Sequence, residues 1–254
     1  MAGGHVHALY RHGDSPLHRL RPEVKLAATL LFVVAVVATP REAFWAFGAH
    51  AALVVALAGL GRLPAGFVGR RLLVEIPFLL FAVFLPFVGG GDRVHVAFLS
   101  LSQEGLWAAW NILAKATLGA SASIVLAATT QVPEILAGLS RLRAPKAIVA
   151  IMGFMVRYLD VVIGELNRMR VALRSRGYAP RRIGEAGALA ATAGTLFIRS
   201  YERGERVYLA MLARGYSGVM PNTEDRPTDL RHWAAAAGLV AAAAAITTLA
   251  WVLR

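Results

Sequence analysis

Five long apolar segments constrain the fold of this chain more than any other feature. A membrane-spanning helix needs about 20 mostly apolar residues, or fewer where flanking Arg and Lys side chains reach the lipid headgroups. The segments cover residues 26–39, 43–60, 72–88, 105–130 and 233–253. Hydrophobic residues make up 57% of the chain and charged residues 17%, a balance that argues against an ordinary soluble domain. The sequence therefore predicts an all-α integral membrane protein with about five transmembrane helices in the lipid bilayer.

The positions of the basic residues predict the orientation of these helices, because short cytoplasmic loops accumulate Lys and Arg. The N-terminal segment and the loop after the second apolar segment carry Arg11, Arg19, Arg21, Lys25, Arg62, Arg70 and Arg71. The alternate loops carry only Arg41 and Arg93. We therefore expect a cytoplasmic N-terminus and, after five crossings, a C-terminus on the outside. The net charge of +12 is divided among separate loops rather than forming one basic face, so no nucleic-acid partner is expected.

The same pattern divides the chain into three regions. Residues 1–130 form an N-terminal tail and four transmembrane helices, and residues 232–254 form the C-terminal transmembrane helix. Residues 131–231 are densely basic, although 148–156 and 183–198 are apolar. A segment of this mixed character favours the cytoplasmic interface over repeated crossing. We expect amphipathic helices there.

A duplicated pattern lies within this middle region. Five residues recur at a constant offset of 38: Arg168, Ala172, Arg176, Gly177 and Tyr178 match Arg206, Ala210, Arg214, Gly215 and Tyr216. The spacing of four places the first three members of each set on one helical face. An apolar stripe on another face of the first helix comprises Val162, Leu166, Met169 and Leu173. In the second copy, Tyr201, Tyr208 and Met211 mark an apolar side, and Glu202 and Arg206 are spaced to pair.

The Arg-Gly ends of the two copies have two interpretations. A single Arg-Gly is typical of a helix stop, since Gly suits the left-handed position and Arg complements the helix dipole. The duplication favours a second interpretation, in which two matching helix ends dock onto a two-fold or pseudo-two-fold partner. An Arg at such an end can bind carboxylates or carbonyls in a partner groove.

These features resemble the transmembrane (T) component of energy-coupling-factor (ECF) transporters. The resemblance covers nearly the whole chain and includes SPLHRLRPEVKL at 15–26 and RSYERGERVYLAMLARGY at 199–216. The second stretch is most similar to the CbiQ branch, which is associated with cobalt or nickel import. In this family, three-residue motifs similar to Ala-Arg-Gly end two cytoplasmic coupling helices. Here they fall on Ser175, Arg176 and Gly177, with Ser where Ala is frequent, and on Ala213, Arg214 and Gly215.

The resemblance implies a non-catalytic subunit that transmits ATPase motions, in the inner membrane of a bacterial cell. Each motif would contact one of two CbiO-type ATPase subunits, which would bind ATP and Mg²⁺. A CbiM-type membrane subunit, possibly with a small CbiN-type subunit, would hold the transported Co²⁺ or Ni²⁺. No cofactor is expected on this chain. A T component for a vitamin substrate is the alternative that the sequence leaves open.

Other functional classes are less well supported by the sequence. Four N-terminal histidines, His5, His7, His12 and His18, invite a metal site, but their spacing fixes no coordination geometry. No phosphate-binding Gly-x-x-x-x-Gly-Lys-Ser/Thr loop and no hydrolase motif is present, which argues against an enzyme. A membrane-embedded enzyme would need His and carboxylates to converge at helix ends, and a secondary transporter would carry its repeat at the bilayer midplane.

Four charged residues lie at or near membrane depth. Arg157 and Asp160 are spaced to pair with each other, and Glu75 is expected to pair with neighbouring arginines. Lys115 has no partner that the sequence identifies.

Overall fold

The fold is all-α, as the sequence predicts. A computed structural model describes residues 10–88, 90, 93–96, 99–178, 187–218 and 230–253. Its helices are α1 (Pro16–Arg19), α2 (Pro22–Ala38), α3 (Phe44–Leu60), α4 (Ala65–Leu72), α5 (Ile76–Val88), α6 (Gln103–Thr129), α7 (Val132–Arg141), α8 (Lys146–Ser175), α9 (Gly187–Ala213) and α10 (Leu230–Val252). A 3₁₀ turn, Leu73–Glu75, joins α4 to α5. A short antiparallel ribbon, β1 (Arg93–Val96) and β2 (Leu99–Ser102), precedes α6.

The chain forms two compact units. The first, here called the bundle unit, contains α1 to α7 and α10, and the second, the helix-pair unit, contains α8 and α9. The boundaries predicted at 130/131 and 231/232 separate membrane-spanning regions from a cytoplasmic region, and they remain a prediction. By packing, α7 belongs with the bundle unit, because it lies against α2.

Several helices are long and apolar enough to cross a membrane. These are Ala65–Val88, which includes α4 and α5, together with α6, α8 and α10. The shorter apolar helix α3 and the 17-residue α2 coincide with the first two predicted segments. By length and composition α8 could also span, so its predicted place at the cytoplasmic interface stays a prediction.

The core of the bundle unit forms where α2 packs against α3, α6 and α10. Its buried apolar side chains are Phe32, Val36, Phe47, Val54, Leu118, Ala122 and Ala243. Many large apolar side chains point outward instead, such as Val55 and Val74, which are 70% and 77% exposed. Such a surface suits lipid rather than water. The bundle unit therefore has the apolar exterior of a multi-pass membrane protein.

Polar contacts fix neighbouring helices to the N-terminal end of α2. Arg141 on α7 forms an ion pair of 3.2 Å with Glu23, whose side chain is almost fully buried. The Lys25 ammonium donates a hydrogen bond of 2.9 Å to the carbonyl of Thr129 at the end of α6. A buried charge is tolerated only when it is paired or hydrogen-bonded, so both contacts specify this packing.

Among the described residues, two of the expected charge pairs do not form. Glu75 lies in the 3₁₀ turn, which packs against α6, and accepts a hydrogen bond of 3.0 Å from the Thr117 hydroxyl of that helix. In the part of the chain that the structure describes, Arg157 and Asp160 form no ion pair with each other. The Lys115 ammonium donates to the carbonyl of Val37 at 2.7 Å, which explains its place near the end of α2.

Candidate functional site

The helix α8 has the two faces that its sequence predicts. The stripe of Val162, Leu166, Met169 and Leu173 is half-buried along its length. Arg168, Ala172 and Arg176 are exposed on another face. The amphipathic interpretation of this helix is therefore confirmed.

The helix α9 differs in part from its prediction. The pair between Glu202 and Arg206 forms at 3.9 Å, between two exposed side chains. Tyr201 and Tyr208, however, are 61% and 54% exposed rather than packed as an apolar side. Within its unit α9 packs against α8, and most of its side chains stay exposed.

The first Arg-Gly-Tyr sequence ends α8 with a defined hydrogen-bond pattern. The Gly177 N–H donates to the carbonyl of Arg174 at 3.0 Å, and the Tyr178 N–H donates to the carbonyl of Leu173 at 3.1 Å. Gly177 has φ +77°, in the left-handed region. These are the two bonds and the conformation of a Schellman motif, in which Gly adopts the left-handed conformation without the backbone strain of other residues.

The second sequence repeats this geometry at the end of α9. The Gly215 N–H donates to Leu212 at 3.0 Å, the Tyr216 N–H donates to Met211 at 3.0 Å, and Gly215 has φ +83°. Both copies are therefore helix stops. The stop fixes the direction in which each chain leaves its helix, and it leaves the preceding arginine at the tip.

The predicted site residues divide by exposure. Exposed members are Arg168, Ala172, Ser175, Arg176 and Gly177 in the first copy, and Arg206, Ala210, Ala213, Arg214 and Gly215 in the second. Tyr178 and Tyr216 are half-buried beneath the tips. Among the described residues, no hydrogen-bond or ion-pair partner contacts the guanidinium of Arg176 or of Arg214. Both tips can therefore bind a partner molecule without first breaking a contact within this unit.

An ion-pair cluster around Glu165 joins the two helices. Arg199 and Arg203 of α9 donate to the two carboxylate oxygens of Glu165 at 3.1 and 3.0 Å. Glu165 is only 8% exposed, so its charge depends on these partners. The sequence interpretation missed this cluster. The repeat could have revealed this cluster. Its offset of 38 residues relates Glu165 to Arg203, and these two residues carry opposite charges and can pair.

The two helices thus contact each other at equivalent positions of the repeat. Glu165 lies 11 residues before Arg176, and Arg203 lies 11 residues before Arg214. At 1.5 Å per residue, each tip is about 17 Å from the crossing point along its helix. The two arms therefore have equal length.

A groove of about 410 Å³ shows how the arms are directed. It is lined by Phe154, Tyr158 and Val162 of α8, which precede Glu165. Most of the α9 residues that line it follow the crossing, such as Val207 and Met211. The first part of α8 therefore lies beside the last part of α9. The Arg176 and Arg214 tips consequently lie toward opposite ends of the helix pair.

The structure describes two of the four N-terminal histidines, His12 and His18. His18 donates from Nε2 to the carbonyl of Arg11 at 2.9 Å, and its Nδ1 lies 2.6 Å from the Ser15 hydroxyl. Both ring nitrogens are therefore engaged. Residues 10–88, 90, 93–96, 99–178, 187–218 and 230–253 contain no group of three potential ligands. His5 and His7 lie outside the described residues.

Comparison with known proteins shows the family of this chain. The family model described as CbiQ, cobalt transport protein, matches residues 13–224, a range that includes both Arg-Gly tips. The chain belongs to the CbiQ family. This family member is a T component of the ECF transporters and a multi-pass membrane protein, and several of the relatives it matches are named as transporter components.

Three relatives illustrate the range of the family. The ECF transporter transmembrane protein EcfT of Bacillus selenitireducens is 28% identical over 243 residues, covering 88% of this chain and 87% of its own. The EcfT of Thermanaerovibrio acidaminovorans is 29% identical over 243 residues, with 89% of each chain covered. A putative fused cobalt transport protein, CbiMQ of Methanocorpusculum labreanum, is 26% identical over 226 residues, covering 85% of this chain and 38% of its own.

Proposed function

We propose that this T component transmits the motion of two CbiO-type ATPase subunits through Arg176 and Arg214 to a CbiM-type substrate-binding membrane subunit. ATP and Mg²⁺ would be held by the ATPases, and the imported ion would be Co²⁺ or Ni²⁺. The observation that carries the proposal is the pair of identical helix tips on equal arms that meet at Glu165 and Arg203.

The chemistry of the tips suits docking into a protein groove. A guanidinium presents several N–H donors in a planar fork, which matches carboxylate and carbonyl acceptors. The exposed glycine that follows each arginine lets a partner backbone approach closely. Two tips of identical geometry suit two copies of one partner, as a pseudo-two-fold arrangement requires.

The crossing at Glu165 supports a lever. Transmission over tens of ångströms requires a rigid element with two discrete arrangements. Each arm is a continuous helix, and the ion-pair cluster holds the arms at one point. When ATP binding draws the two ATPases together, the tips would move with them and the helix pair would tilt about the crossing. The apolar groove beside the crossing would then change shape against the substrate-binding subunit.

The choice of cobalt or nickel over a vitamin rests on the relatives. The family model carries the description of a cobalt transport protein, and a CbiMQ relative joins a CbiM part to a CbiQ part in one chain. A fusion of this kind suggests that the two parts act together. We therefore favour a CbiM-type partner.

Alanine substitutions at the two tips test the coupling role. Loss of one buried charged contact at an interface costs about 2 to 5 kcal/mol. We expect Arg176→Ala or Arg214→Ala alone to reduce cobalt uptake partially, and the double change to abolish uptake and ATPase co-purification. Lysine at either position should restore little, because an ammonium lacks the planar fork.

Arg174→Ala provides the matched control, because Arg174 is an exposed arginine at the same helix end that has no counterpart in the repeat. Its uptake should equal that of the unaltered chain. Normal uptake by the double variant, or failure of that variant to reach the membrane, would leave the tips as helix stops only.

A second test concerns the isolated chain. We expect the purified protein to hydrolyse no ATP and to bind Co²⁺ or Ni²⁺ no tighter than millimolar, because it lacks a phosphate loop and His18 is already engaged. Calorimetric titration measures this. Stoichiometric micromolar binding that disappears on replacing His5, His7, His12 and His18 would place a metal site in this chain.

A further inference from the structure

An apolar groove of about 280 Å³ lies in the bundle unit, between α1, α2, α3, α6 and α10. Its inner wall contains the buried side chains of Val24, Phe32 and Val125. Its outer edge includes Leu60, which is 56% exposed, and the exposed Ala235. One turn of helix with its side chains occupies on the order of 400 Å³, from a diameter of about 10 Å and a pitch of 5.4 Å. The groove therefore encloses less volume than one turn of a helix.

A second cavity adjoins this groove, and the two share Pro16 and Leu20. We call it the polar cavity because its other lining side chains are ionisable. Arg19, Arg62, His232 and Asp14 line the polar cavity. Two permanent positive charges thus face one carboxylate. The apolar groove ends at a rim that is positive overall.

His232 adds a hydrogen-bonding group to this rim. Its Nδ1 is buried and has no hydrogen-bond partner in the part of the chain that the structure describes. A buried polar atom without a partner is unfavourable, and a ligand that hydrogen-bonds it removes this cost. Lys25 also lines the groove, but its ammonium already donates to the Thr129 carbonyl.

Arg62 lies in a conformation that favours glycine. The helix α3 ends with the same two hydrogen bonds as α8 and α9, from Arg62 to Gly59 and from Leu63 to Ala58, both at 2.9 Å. The residue in the left-handed position here is Arg62, with φ +53°. Non-glycine residues held in this region mark functional positions more often than chance. The Arg62 side chain lines the polar cavity.

We propose that an anionic phospholipid binds this site, with an acyl chain in the apolar groove and its phosphate at Arg19, Arg62 and His232. Lipid is the solvent of this surface, and a basic rim attracts anionic over zwitterionic headgroups. The N-terminal ends of α2 and α10 and the C-terminal end of α3 meet here. The predicted orientation places this lipid in the cytoplasmic leaflet. This proposal requires only that the chain lies in a membrane, so it does not depend on the proposed coupling to ATPases.

Native mass spectrometry of the purified chain tests it, with phosphatidylglycerol and phosphatidylcholine added at equal mole fractions. We expect the chain to retain phosphatidylglycerol at least about fivefold more than phosphatidylcholine, the ratio that about one basic residue near the surface supplies. The double substitution Arg19→Gln and Arg62→Gln should remove this preference. Arg70→Gln, which alters an exposed arginine outside both cavities, should keep it.

A second variant tests the acyl-chain groove without altering the charges. Ala235→Trp places a bulky side chain at the exposed edge of the groove, so retention of both lipids should fall about equally. Equal retention of both lipids by the unaltered chain would overturn the proposal. So would a double variant that prefers phosphatidylglycerol as strongly as Arg70→Gln does, or unchanged lipid retention by Ala235→Trp.

Discussion

The left-handed residue that ends a helix is glycine in α8 and α9 but arginine in α3. The hydrogen bonds are the same in the three cases, so the difference lies in the side chain. An ideal Cβ at Gly177 or Gly215 would meet no atom within 4 Å. Glycine is therefore favoured at the tips by backbone conformation and not by lack of space. At Arg62 the backbone has the same left-handed conformation, and the residue there carries a side chain that lines a cavity.

Alanine in place of Gly177 should destabilise the end of α8. The left-handed conformation costs a residue with a Cβ about 1 kcal/mol or more, so the free energy of unfolding should fall by roughly that amount. Hydrogen exchange of the Gly177 and Tyr178 amides should become faster. Asn, which tolerates the left-handed region, should cost less than Ala. Thermal unfolding in detergent together with hydrogen exchange measures these effects.

Gly194→Ala is the control for this comparison. Gly194 lies within α9 with open space around it, so alanine there should raise the free energy of unfolding by up to about 1 kcal/mol. If Gly177→Ala proved as stabilising as Gly194→Ala, the left-handed geometry of the tip would be wrong.

At the scale of whole elements, the sequence predicted the position and the faces of single helices better than the contacts between side chains. The apolar segments and the stripe on α8 follow from the composition of one helix at a time, and the helices lie where these patterns place them. The contact of Glu165 with Arg199 and Arg203 depends on which faces of two helices meet. The expected pairing of Arg157 with Asp160 considered only one helix. It was wrong because sequence spacing does not determine the directions of side chains.

The crossing of α8 and α9 can be tested apart from the tips. Glu165→Gln removes the charge that binds Arg199 and Arg203, and we expect faster hydrogen exchange around the crossing. Both arginines are partly exposed, so the loss of stability should be small, about 1 kcal/mol or less. Cobalt uptake should nevertheless fall, while the ATPases still co-purify, because both tips remain intact.

The control is Glu202→Gln, which removes the partner of Arg206 in an exposed pair at 3.9 Å. An exposed pair of this kind contributes little, so uptake should be unchanged. Equal effects of Glu165→Gln and Glu202→Gln would contradict a lever that depends on the crossing.

At the scale of the whole molecule, orientation depends on the sum of the loop charges. In the bundle unit, Arg19 of α1, Arg62 after α3 and His232 of α10 line one cavity. Arg21 and Lys25 lie at the start of α2. One end of this unit is therefore basic, as the predicted cytoplasmic side should be. The helix α8 is the element on which orientation depends most, because it is apolar enough to span. Its sequence includes several arginines, which led to the interfacial prediction.

Single-cysteine labelling tests this orientation directly, because the chain contains no cysteine and each introduced thiol is a unique probe. Arg41→Cys, in the loop between α2 and α3, and Leu253→Cys, beyond α10, should react with an impermeant reagent added to intact cells. Ser175→Cys, exposed at the end of α8, should react only after the membrane is opened. If α8 lies at the cytoplasmic interface, the chain crosses five times and the two termini face opposite sides. Labelling of Ser175→Cys from outside would mean that α8 spans the membrane. The Arg176 tip would then lie beyond the reach of a cytoplasmic ATPase, and the coupling proposal would fail for that arm.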